Sequence, residues 1–159
     1  MTKDEPYAIV PGQIWNGYNS SCETAKAVIV DDDRIDRLIS ANGIPAGMKQ
    51  HHLPCCTLLP GLIDCHVHLS DWMRPVFLAA GVTTIRDVGN NLEWILNRRS
   101  YAEKHPARSP RILCCGPLLD GPTAHWPLLG RAHADRQTIE RSVQSVIARG
   151  VDAVKLYVN

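Results

Sequence analysis

Leu59-Pro60-Gly61-Leu62-Ile63-Asp64-Cys65-His66-Val67-His68-Leu69 is the stretch on which the reading of this chain turns. It is an apolar run broken by Pro60-Gly61, with Asp64, His66 and His68 at every second position. Side chains alternate faces along a strand, so these three are expected to point one way while Cys65 and Val67 point the other. Two imidazoles two residues apart on one strand face can reach one divalent metal, and neutral histidine is the commonest Zn²⁺ ligand. Asp64, one step behind, is placed to orient an imidazole. The spacing alone is not specific, because a lone histidine is more often a structural residue. His51-His52 reads as part of a polar loop, and His105 and His133 as solvated residues at helix ends.

Downstream of residue 57 the pattern alternates strand and helix. Met73 to Ala80 is a short helix punctuated by Gly81, and Val82 to Val88 is a β-branched strand. Asn91 to His105 reads as a helix and Arg111 to Cys115 as a short apolar strand. Asp135 suits the N-cap of a helix ending at Gly150, with Ile139, Val143, Val146 and Ile147 on one face. Asp152 to Val158 closes the series as a strand. Such alternation builds a parallel α/β sheet, open or closed into a barrel.

Upstream the pattern is different. Tyr7 to Val10, Gln13 to Trp15, Ala27 to Val30 and Arg34 to Ile39 are short β-like stretches separated by Pro11-Gly12, Asn16-Gly17 and Asp31-Asp32-Asp33. A small antiparallel sheet is expected there, with Ala41 to Pro54 as a loop leading into the second region. The chain therefore divides into a β-rich, sandwich-like flank over 1-56 and an α/β region over 57-159.

Composition narrows the function classes. The chain has 159 residues, 45% of them hydrophobic, enough for a real core. Seventeen Lys and Arg against sixteen Asp and Glu give a net charge of +1, which asks for neither nucleic acid nor an anionic membrane. The first seven residues are polar and acidic, unlike a secretory signal, so the cytosol is the expected compartment. Of six cysteines, Cys55-Cys56 and Cys114-Cys115 are adjacent pairs that rarely bridge, and no C-x-x-C spacing occurs. All six read as small buried hydrophobes. No G-x-G-x-x-G or P-loop sequence supports a nucleotide fold.

The run Pro60-Gly61-Leu62-Ile63-Asp64-Cys65-His66-Val67-His68-Leu69 resembles the first-strand signature of the amidohydrolase superfamily, metal-dependent hydrolases built on a (β/α)₈ barrel with a small β flank. Gly81-Val82-Thr83-Thr84-Ile85-Arg86-Asp87-Val88-Gly89 is similar to the second-strand segment of its imidazolonepropionase and Xaa-Pro dipeptidase-like branch. Asp152-Ala153-Val154-Lys155-Leu156 is similar to the fourth-strand segment that carries a metal-bridging lysine.

The resemblance implies that His66 and His68 bind a divalent metal, most readily Zn²⁺, at the C-terminal end of the first barrel strand. It implies that Lys155 is carboxylated, turning a cation into an anionic oxygen ligand. Asp87 becomes a hydrogen-bonding group near the metal or, equally, a structural partner of Arg86 or of a helix N-terminus. His125, in the loop after the third strand, becomes a substrate-facing candidate. The implied reaction is hydrolysis of a carbon–nitrogen bond in a small amide, cyclic amide or dipeptide-like substrate by metal-activated water. In that family further histidines and the aspartate that acts as general base belong to later strands. The expectation is therefore the N-terminal half of such a barrel, inactive by itself and able to self-associate through open edges. A non-catalytic remnant and a related barrel isomerase or decarboxylase are the competing readings.

Overall fold

A computed structural model describes residues 5–157. The expectations that touch Met1 to Asp4 and Val158 lie outside the described residues. The chain separates into two compact units, the first ending at Pro60 and the second beginning at Gly61.

The first unit is a single four-stranded sheet. Its strands are β1 (Tyr7–Ile14), β2 (Lys26–Asp31), β3 (Arg34–Ser40) and β4 (Lys49–Leu58), in the order β3-β2-β1-β4. The sheet is mixed, which corrects the expected antiparallel one: β1 pairs antiparallel with β2 but parallel with β4. Pro11-Gly12 is not a turn between two strands. It is an irregularity inside one strand, where the β1–β4 register shifts between Pro11 and Gln13. Gly12 is required there because an added Cβ would overlap the Pro54 carbonyl.

The segment expected as a loop is shorter than thought, and His51 and His52 lie on β4. Pro54 does not prevent this, because β4 is an edge strand and Pro54 sits at the bulge, where no ladder N–H is needed. The His51 ring meets the edge of Tyr7 at 5.3 Å between centroids. Ile14, Val28 and Val30 form the buried centre of this unit.

In the second unit the strand–helix alternation follows the apolar periodicity. Strands β5 (Leu62–Val67), β6 (Val82–Asp87) and β7 (Arg111–Cys114) form a parallel three-stranded sheet in that order. Two further strands, β8 (Leu118–Asp120) and β9 (Gly130–Ala132), pair in parallel. Helices α1 (Met73–Ala79), α2 (Leu92–Lys104) and α3 (Arg136–Ala148) intervene. Asn91 caps α2 by accepting from the Trp94 N–H at 3.0 Å. Asp135 caps α3 in a reciprocal capping box with Thr138. Gly81 and Gly150, at φ 79° and 75°, take the left-handed conformation that stops α1 and α3. Val146 is buried on α3, whereas Ile147 is exposed and falls off the expected face. Arg149 beyond α3 engages both carboxylate oxygens of Glu93 on α2, which holds that carboxyl below its ordinary range.

The core lies between the sheet and the helices, where Val67, Leu69, Ile85, Ile95, Ala102, Ile112 and Cys114 are buried. Each large aliphatic side chain fully removed from water contributes roughly 1.5–3 kcal/mol. The opposite side of β5 stays open. The segment after α3 forms an isolated parallel bridge, Leu119 to Leu156, among the described residues rather than the full strand expected. It is nevertheless pinned alongside β7 and β8. The Asp152 N–H donates to the Cys114 carbonyl at 2.8 Å, and the Leu119 and Tyr157 N–H groups bond across at 2.9 Å. Asp152 also accepts from the Cys114 N–H and from Arg99, each at 2.9 Å.

The cysteines divide, against the expectation that all are buried. All six are free; Cys114 and Cys115 are buried, while Cys22, Cys55, Cys56 and Cys65 are exposed. Burial pushes the Cys114 thiol up to about 11 and raises Cys115 in the same direction. A thiol reagent at neutral pH is therefore expected to modify four cysteines quickly and two only on unfolding. Because the folded thiol of Cys114 titrates above the unfolded one, its contribution to stability is complete below pH 9 and is lost as pH rises toward 11. Thiol counting with and without denaturant checks the first point, and unfolding midpoints across that alkaline range check the second.

Candidate functional site

The C-terminal ends of β5, β6 and β7 meet at one place, and a buried carboxylate holds them together. Asp87, fully buried at the end of β6, accepts from the Leu69 N–H at 2.7 Å, the Gly89 N–H at 3.1 Å and Asn90 Nδ2 at 3.0 Å. Asn90 Nδ2 also donates to the Leu69 carbonyl at 3.0 Å. The Asp87 carbonyl takes the Cys115 N–H at 3.0 Å, and the Gly116 carbonyl takes that of Asn90 at 2.9 Å. Asp87 thus ties together backbone N–H groups around the strand ends. Arg86 turns elsewhere, donating from Nε to the Cys65 carbonyl at 2.9 Å.

This frame fixes His68. Its Nδ1 lies 2.9 Å from the Gly89 carbonyl. A carbonyl oxygen can only accept, so Nδ1 carries the proton and, in the neutral ring, Nε2 keeps its lone pair free. The neighbouring ring of His66 stands edge-on at 5.7 Å between centroids, with an interplanar angle of 77°. Both histidines are exposed on the open side, whereas Val67 and Leu69 are buried on the other.

Among the described residues Asp64 reaches the backbone of His66. Its Oδ1 accepts the backbone N–H of His66 at 3.0 Å. The β5–β6 register shifts between Asp64 and Val67, and this bulge breaks the strict alternation from which a shared face for all three residues was expected. The result is local: Asp64 shapes the backbone that presents His66.

Lys155 is half-buried on the segment beside β8, with β6 and β7 between it and β5. Its ammonium lies close enough to Cys115 to pull that thiol's pKa downward, against burial. His125 is exposed in the loop after β8. Its ring stacks on Tyr157 at 4.7 Å and 16°, and its backbone N–H donates to Asp120 Oδ2 at 2.6 Å. No contact joins His125 to His66 or His68 among the described residues.

His133 is buried, against the expectation of a solvated helix-end residue, and binds the Asp120 carbonyl through Nδ1 at 3.0 Å and Ser142 Oγ through Nε2 at 2.8 Å. Three residues before the start of α3, it ties that helix to β8. His105 is exposed at the end of α2, with its ring tilted against Tyr101 at 4.4 Å. Asn90 and Gly89 were missed by sequence reasoning. Gly89 has a readable signal only in retrospect, since an added Cβ would lie 2.9 Å from both His68 Cε1 and Leu118 Cγ.

The donor set fits a divalent ion in part. Among the described residues, no three His, Cys, Asp or Glu side chains cluster to hold a metal. The two imidazoles supply two donors, one with its lone pair already directed by a carbonyl on the far nitrogen.

Neither a family model nor a curated protein matches the sequence. Solved structures do. A provisionally named prolidase from Bifidobacterium longum matches at 26% identity and TM-score 0.84, over 98% of this chain and 41% of that one. A Xaa-Pro dipeptidase crystallised with methionine in its active site matches at 20% identity and TM-score 0.71, over 96% of this chain and 47% of its own. Molinate hydrolase matches at 20% identity and TM-score 0.77, over 98% and 45%.

Over nearly all of its length the chain shares its fold with part of these chains and with part of one described as an amidohydrolase. It spans less than half the length of these neighbours. No helix among the described residues is long and apolar enough to cross a membrane.

Proposed function

We propose that this chain forms the first half of a (β/α)₈ barrel and carries the first-strand metal ligands of a hydrolase acting on a carbon–nitrogen bond. The observation that carries the reading is the His68 Nδ1–Gly89 carbonyl bond beside the His66 ring, which leaves two imidazoles on one open strand end. Barrel active sites lie at that end of the strands. His66 and His68 would hold the ion through nitrogen, and Lys155, once carboxylated, through oxygen. Zn²⁺ suits such a donor set best. A bound divalent ion supplies Lewis acidity and lowers the pKa of a coordinated water toward neutrality.

The chain's own residues do the positioning. Asp87 fixes Gly89, Gly89 fixes the His68 tautomer, and Asp64 sets the backbone of His66. Asp152 anchors the segment three residues before Lys155 to β7 and α2. The substrate class is a small amide, cyclic amide or dipeptide-like compound. The family resemblance places the general base on a later barrel strand than those described here.

The reading is tested through Lys155. Carboxylation needs a neutral amine and dissolved carbon dioxide, so Zn²⁺ affinity is expected to rise when bicarbonate is added at pH 8. A carbamate carbon should appear in the NMR spectrum with ¹³C-labelled bicarbonate. Lys155→Ala should abolish both effects while leaving the weaker binding by the two histidines. An identical bicarbonate response in wild type and Lys155→Ala would remove Lys155 from the ligand set.

A further inference from the structure

A second constellation lies on the helical side, where α1 and α2 face each other. Asp71 accepts from Arg98 Nη2 at 2.9 Å, and Arg98 Nε stands 2.7 Å from its other oxygen in an ion pair without a hydrogen bond. Arg74 reaches the same carboxylate through Nη2 at 3.1 Å. The Arg74 guanidinium also lies over the Tyr101 ring, 4.6 Å from its centroid. Arg108, on the turn after α2, lines the same cleft, of about 480 Å³, with Asp71, Arg74 and Tyr101. Arg108 makes no side-chain ion pair among the described residues. One carboxylate thus stands against three guanidinium groups.

The imbalance is not only one of net charge. Arg74 Nε is buried and has no acceptor. A buried donor left unpaired costs free energy that a bound acceptor would recover. Asp71 cannot supply that acceptor, since both its oxygens are engaged by Arg98 and Arg74. The missing group must be anionic, must offer several oxygens, and must present them in more than one plane, because Arg74 and Arg108 approach from different elements. Guanidinium forks match phosphate oxygens in this way.

We infer that the Arg74–Arg108 cleft binds a phosphate-type tetrahedral oxyanion, either free or as the terminal group of a small molecule. Leu78 and Pro75, which line its apolar wall, leave room for a compact organic portion. The inference does not depend on the metal reading, since none of its residues belongs to that site.

Calorimetric titration of the chelator-treated full chain with inorganic phosphate, in a low-salt chloride buffer, is expected to show saturable one-to-one binding. Arg108→Gln, which breaks no bond seen in the structure, should weaken it at least tenfold, as should Arg74→Gln with its fold checked by circular dichroism. His66→Ala/His68→Ala should leave it unchanged. Phenyl phosphate binding more tightly than inorganic phosphate would assign an organic phosphate, and weaker binding the free ion. Absence of saturation, or equal affinity in wild type and Arg108→Gln, would overturn the inference.

Discussion

Asp87→Ala is expected to destabilise the second unit by about 2–6 kcal/mol, because it strands the buried N–H groups of Leu69 and Gly89 at about 1–3 kcal/mol each. The third donor, Asn90 Nδ2, keeps the Leu69 carbonyl and suffers less. Urea unfolding followed by far-ultraviolet circular dichroism measures the loss. Asp87→Asn keeps one acceptor oxygen and adds a donor that faces other donors, so a smaller but real loss is expected. A surface charge reversal such as Glu140→Lys, on an exposed helical position paired only with Arg136, should shift stability by no more than about 0.5 kcal/mol. If Asp87→Ala were as mild as that control, the carboxylate would not be the hub its hydrogen bonds describe.

The second large effect concerns His68. Gly89→Ala introduces a Cβ 2.9 Å from His68 Cε1 and 3.1 Å from Nδ1, so the ring must move and its bond to the Gly89 carbonyl must weaken. Groups that orient a metal-binding histidine are worth roughly 10–100-fold in metal affinity, and a loss of that size is expected here. His68→Ala, which removes the donor itself, should cost more. Competition against a chromogenic chelator gives both affinities on one scale. Unchanged affinity in Gly89→Ala would mean that the carbonyl does not set the working tautomer.

How much of this was legible in the sequence differs by element. The parallel β5–β7 sheet and the helices between them were, because apolar periodicity and the stop signal of Gly81 act over a few residues, as does the Asp135 cap of α3. The paired imidazoles of His66 and His68 were legible for the same reason, since a period of two is a local property. The contact of Asp64 with the His66 backbone is not legible, because a bulge is decided by pairing with β6, which no local pattern encodes. The parallel placement of β4 was hidden by Pro54 and by the polarity of His51-His52, and only the neighbouring β1 explains why a strand forms there. The burial of His133 is not legible because its partners, Asp120 and Ser142, are 13 and 9 residues away. Asp87 remained ambiguous until its donors, up to 18 residues distant, came into view.

The central claim is that His66 and His68 together hold a divalent ion. The most direct measurement is elemental analysis of the purified chain after reconstitution with Zn²⁺ and removal of excess, compared with the His66→Ala/His68→Ala variant treated identically. The account predicts near-stoichiometric metal in the wild-type chain and background levels in the variant. Equal metal in both, or none in either, would contradict it.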